Sequence, residues 1–126
     1  FQLQQYSGDR IEILATTNGS TTVGGYARSS VFTRNAWHWC LVHRYDGSIR
    51  MFLDGAYEGA FSGLSAGVAM YDFSAGIGVG ASTDGVLGSA GTKTSIYIDE
   101  LRIIKGLHPY PNSSAAVTVP TAQHEL

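Results

Sequence analysis

The sequence predicts an all-β protein, and three observations carry that reading. Glycine is abundant at 16 residues and proline scarce at 3 among 126; with Thr, Tyr, Val and Ile, this is the composition of short strands joined by glycine turns. No stretch of useful length repeats its apolar residues at the helical period. Residues 36–59, AWHWCLVHRYDGSIRMFLDGAYEG, hold two Asp-Gly pairs eight residues apart, with apolar residues alternating before and between them. A length of 126 residues suits one domain with its own core.

Along the chain, residues 1–6 alternate apolar and polar, and residues 10–15 alternate again after a Ser7-Gly8-Asp9 turn. Residues 16–25 read as a polar loop, with Asn18-Gly19 and Gly24-Gly25 as turn signals. Next comes the ribbon. A two-residue type I′ turn at Asp46-Gly47 pairs Tyr45 with Ser48, Arg44 with Ile49, Val42 with Met51 and Cys40 with Leu53. Side chains alternate along a strand, so Cys40, Val42, Ile49, Met51 and Leu53 form the expected core face. The opposite face carries Trp39, Leu41, His43, Arg50 and Phe52, too apolar to be simply solvated. Either both faces are covered, or one is covered and the other makes contacts. A second sheet packed on the core face, a sandwich, is the natural solution.

Residues 62–67 read as irregular loop, residues 76–81 as a short strand, residues 82–94 as a flexible loop, and residues 95–104 as the longest late strand. Within that strand Ile96 and Ile98 share one parity while Leu101 and Ile103 share the other, a slip at Asp99-Glu100 that a β-bulge would produce. At least one of these two carboxylates is then expected to be buried. Backbone N–H groups are its preferred partners over calcium. Calcium would need six to eight oxygens, with Asp72 and Asp84 as further donors beside Asp99. Residues 109–126, with Pro109, Pro111 and Pro120, read as an extended tail after a domain of residues 1–108.

Composition and motifs argue against several function classes. A net charge of -2 and scattered Lys and Arg give no footprint for nucleic acid. No apolar run approaches the ~20 residues of a membrane-spanning helix. Cys40, flanked by large apolar residues, reads as a buried thiol. The four histidines lack metal-ligand spacing, and no Gly-x-Ser-x-Gly elbow is present. Glycoside cleavage needs two converging carboxylates, which on a strand means i and i+2 or i+4. Asp99 and Glu100 are adjacent and face opposite ways on a regular strand, so no catalytic residues are expected. Glycan contact needs an aromatic ring beneath a sugar, for which Trp39, Tyr26, Tyr45 and Tyr71 are the candidates.

Trp37-His38, the alternating run to His43-Arg44, Asp46-Gly47 and Met51-Phe52-Leu53-Asp54-Gly55 together resemble the WHHVAVxRDGxxxxLYVNG signature of laminin G-like, concanavalin A-like domains. Ile77-Gly78-Val79-Gly80 resembles that family's IG strand, and residues 97–103 resemble its YIDELRI strand. Residues 104–110 are similar to the TKGVARY tail that follows this strand in many bacteriophage virion proteins. The resemblance implies a two-sheet antiparallel jelly-roll sandwich. It also implies a non-catalytic role in a virus particle, touching neighbouring virion subunits or host-surface glycan, with no cofactor beyond calcium. A carbohydrate-binding module of an extracellular protein is the competing reading. The family has strands before the position matching Phe1, so the chain covers the later part of such a domain. Its 126 residues alone are therefore expected to oligomerise or aggregate.

Overall fold

The computed structural model describes residues 2–6, 8–17, 22–45, 47–61, 67, 97–104, 106, 110 and 114–121. These residues are all-β, with no helix among them. Six strands run in order: β1 (Gln2–Tyr6), β2 (Arg10–Thr16), β3 (Thr22–Arg28), β4 (Cys40–Tyr45), β5 (Ser48–Leu53) and β6 (Ala56–Phe61). They form two three-stranded antiparallel sheets, β1-β2-β3 and β4-β5-β6, each with neighbours in chain order.

The first hairpin follows the expected alternation, and its turn holds Gly8 at φ 78° and Asp9 at φ 56°. Its second partner corrects the sequence reading, because the supposed loop across Gly24-Gly25 is strand β3. Between the pairs Leu14↔Tyr26 and Thr16↔Thr22, β2 has one residue and β3 has three. The two glycines thus mark a bulge, where a residue without a side chain lets the strand bend and stay paired.

In the second sheet the register matches the expected one pair for pair, from Tyr45↔Ser48 to Cys40↔Leu53. Gly47 has φ 76°, as the second residue of a type I′ turn requires. Asp54 and Gly55, at φ 50° and 83°, turn the chain again and pair Leu53 with Ala56. Strand β6 then carries one extra residue: Met51 pairs with Gly59 and Phe52 with Tyr57, leaving Glu58 between them. This bulge also removes the strict alternation by which a strand is recognised in sequence.

The two sheets share one core. Ile13 and Ala15 of β2 and Ile49 and Met51 of β5 are buried together, with Ile11, Cys40 and Val42 packed against them. Full burial of Ile13, Ile49 or Met51 stabilises the fold by about 1.5–3 kcal/mol each. The opposite face of β4-β5 is also covered at its centre. Phe52 is fully buried, His43 is only 7% exposed, and their rings stack at 5.7 Å and 28°. Tyr57 closes on Phe52 at 5.5 Å. On this face Phe52 and His43 are buried while Trp39, Leu41 and Arg50 are half-buried, so its centre is covered.

The late strand is a second correction. Residues 97–104 have no strand pairing, and all are exposed, Tyr97 to 90%. Asp99 Oδ1 accepts a hydrogen bond from the Glu100 N–H at 2.9 Å, and Glu100 sits at φ 52°. That local bond turns the backbone out of extended geometry, so neither carboxylate is buried. Of the tail, Val117 is buried and donates its N–H to the Gly55 carbonyl at 2.9 Å. A Cβ on Gly55 would stand 2.5 Å from the Val117 carbonyl oxygen and 3.2 Å from Val119 Cγ2. Left-handed φ and close approach together require glycine there. The expected elements at 76–81 and 82–94 lie outside the described residues.

Candidate functional site

The polar side chains that the fold gathers lie around the connection between β3 and β4, residues 29–39. Its first residue is stitched to β2: the Ile11 N–H donates to Ser29 Oγ at 2.9 Å, Ser29 N–H to the Ile11 carbonyl at 2.8 Å, and Arg10 Nη1 to the Ser29 carbonyl at 2.8 Å. Three carboxylates from three turns or bulges then hold the rest. Glu58, re-aimed by the β6 bulge, accepts from the Ser30 N–H and, at 3.0 Å, from the Ser30 hydroxyl. Asp9, in the β1–β2 turn, takes Phe32 N–H on its carbonyl at 2.9 Å and Arg34 Nε on its carboxylate at 2.7 Å. Asp54, in the β5–β6 turn, takes the end of the connection.

The Asp54 contacts form a clasp. Its N–H donates to the Trp39 carbonyl at 2.8 Å, and its Oδ1 accepts the Trp39 N–H at 2.9 Å, extending the β4–β5 ladder past Cys40↔Leu53. Its Oδ2 lies 2.6 Å from His38 Nδ1. The other ring nitrogen, Nε2, lies 2.8 Å from the Thr33 carbonyl, and the Phe32 ring packs on the imidazole at 5.5 Å. Both partners of the ring are acceptors, so both nitrogens must donate, and only the imidazolium does that. The His38 pKa is raised accordingly, first by the Asp54 hydrogen bond, then by the Thr33 carbonyl, with burial opposing.

A His–Asp pair is part of the machinery of nucleophilic catalysis, but the third member here is a backbone carbonyl, which has no proton to give. The nearby thiol of Cys40 is pushed up to about 11, mainly by burial and then by the charges of Asp54 and Glu58. It stays protonated at neutral pH. Among the described residues, the arrangement orients backbone and no activated nucleophile joins it.

Of the residues expected at a glycan site, the described side chains Trp39 and Tyr45 do not converge. Trp39 is half-buried, its ring against Tyr110 at 6.1 Å, and Tyr45 is exposed at the far end of β4. Six residues of strand put them roughly 20 Å apart. Tyr26 lies in β3, paired with Leu14, and Tyr71 lies outside the described residues. Of the calcium candidates, Asp99 is exposed and bonded to its neighbour's N–H, while Asp72 and Asp84 lie outside the described residues. Among the described residues no three His, Cys, Asp or Glu side chains gather as a metal would need. The clasp itself was not evident from residue spacing. Its only signal in sequence is that His38 and Asp54 occupy the His and Asn positions of the signature the ribbon resembles.

Against protein-family models, curated proteins and solved structures, the chain has no match.

Proposed function

We propose that the chain is a concanavalin A-like jelly-roll sandwich serving as a non-catalytic structural or adhesion module of a bacteriophage particle. The observation that supports this reading best is the β4–β5 hairpin. Its register leads to Trp39 bonded to Asp54 just past Cys40↔Leu53 and His38 against the Asp54 carboxylate, so residues from the two ends of the signature meet in one clasp. Two antiparallel sheets sharing the Ile13–Met51 core agree with a sandwich. The described carboxylates Asp9, Asp54 and Glu58 each hold the 29–39 connection, which supports a scaffold rather than a reaction centre.

The module would meet neighbouring virion subunits or host-surface glycan. An antibody to the chain should label particles released from cells that carry the gene and sediment with them. Incubation with a polysaccharide panel should release no new reducing ends. Label confined to secreted protein joined to a hydrolase would favour a carbohydrate-binding module. Turnover abolished by Asp54→Asn or Glu58→Gln would overturn the non-catalytic reading.

A further inference from the structure

We propose that His38 is a proton-operated latch on the corner formed by residues 33–38. The geometry carries the argument. Nδ1 faces the Asp54 carboxylate at 2.6 Å and Nε2 faces the Thr33 carbonyl at 2.8 Å, so one imidazolium donates in two directions at once. Loss of a proton leaves a single N–H. The ionised Asp54 keeps it, because a charged acceptor outbids a neutral carbonyl. Nε2 then presents a lone pair to the Thr33 oxygen, and the two acceptors separate.

What opens is set by the other tethers. Among the described groups, Asp54 is the titratable side chain touching the ring, while Phe32 and the Thr33 carbonyl face it from the connection. Arg34 is held separately by Asp9, and Trp39 by Asp54. Between those fixed points lie Asn35, at φ 58°, Ala36, and Trp37, whose residue surface is 71% exposed. Deprotonation therefore frees a short corner bearing a solvent-facing indole and leaves both sheets intact. The raised pKa gives the sign: the latch is closed below the ordinary histidine value and opens as pH rises through the folded one.

The test reads His38 protonation and corner mobility on the same protein. Deuterium uptake at the His38 ring carbon, followed by mass spectrometry, gives its midpoint. Amide exchange gives the opening. The midpoint should lie above that of an unstructured histidine. Exchange at 33–38, corrected for intrinsic pH dependence, should rise about tenfold through it, as expected for one charge-assisted hydrogen bond lost. Exchange at 116–119, on the tail beside Gly55, should not follow. Asp54→Asn supplies the opposite case. Its carbonyl still accepts the Trp39 N–H while its amide donates to Nδ1, so a neutral ring with Nε2–H closes on Thr33 and the response reverses. Corner exchange that stays flat while His38 titrates, or that rises with pH in Asp54→Asn as in the parent, would overturn the latch.

Discussion

Val117 and Gly55 hold each other's backbones: the Val117 N–H donates to the Gly55 carbonyl at 2.9 Å, and the Val117 carbonyl fills the space a Gly55 side chain would take. The late tail is thus fixed to the same turn that carries the His38 partner, Asp54. Gly55→Ala should destabilise by more than the about 1–2 kcal/mol that left-handed geometry alone costs, since the Cβ also collides with backbone. Gly8→Ala, with φ 78° and open space around it, isolates the conformational part. Urea melts of both variants check this; equal losses would mean that the Val117 contact adds nothing.

The shared core predicts coupling across the sheets. Ile13→Val and Ile49→Val should each cost about 0.5–1.5 kcal/mol, and Met51→Ala about 2–5 kcal/mol. Because Ile13 and Ile49 belong to one cluster, the double variant should depart from the sum by at least about 0.5 kcal/mol. Strict additivity in denaturant melts would show that the sheets fold as separate layers.

Cys40 should be slow to react. With its thiol held near 11 by burial and by two nearby carboxylates, the thiolate fraction at pH 8 is about a hundredfold or more below that of a free cysteine. Modification by a disulfide reagent at pH 8 should be correspondingly slow in the folded protein and fast in urea. A folded-state rate near that of free cysteine would place the thiol in solvent.

How much of this was legible in sequence depended on where one residue type decided the geometry. Asp46-Gly47 fixed a two-residue turn, and from it every β4–β5 pair and the whole core face followed. The same logic failed at Gly24-Gly25, where glycine marks a bulge inside β3 rather than a turn; composition does not separate the two. Strand β6 was missed because Glu58 breaks its alternation, and that break is what turns Glu58 toward Ser30. At Asp99-Glu100 the parity slip suggested a bulge with a buried carboxylate, but residues 97–104 are exposed and unpaired, and a local side-chain-to-backbone bond turns the chain there. The candidate site was the least legible part. Its contacts join residues far apart in the chain, and no local pattern encodes that His38 reaches both Thr33 and Asp54.

The sheet β4-β5-β6 is a meander whose two hairpins begin at the pairs Tyr45↔Ser48 and Leu53↔Ala56. Its pairings join residues near in sequence, so little chain entropy is lost in closing them, whereas Ile13 must find Met51 across the whole 29–39 connection. Locality of this kind, which β1-β2-β3 shares, predicts that pairing within each sheet precedes the packing of one sheet on the other. Stopped-flow kinetics should then show Ile13→Val mainly hastening unfolding. In that order, the 29–39 connection and its three carboxylate tethers act late, as fasteners that lengthen the lifetime of a fold already formed.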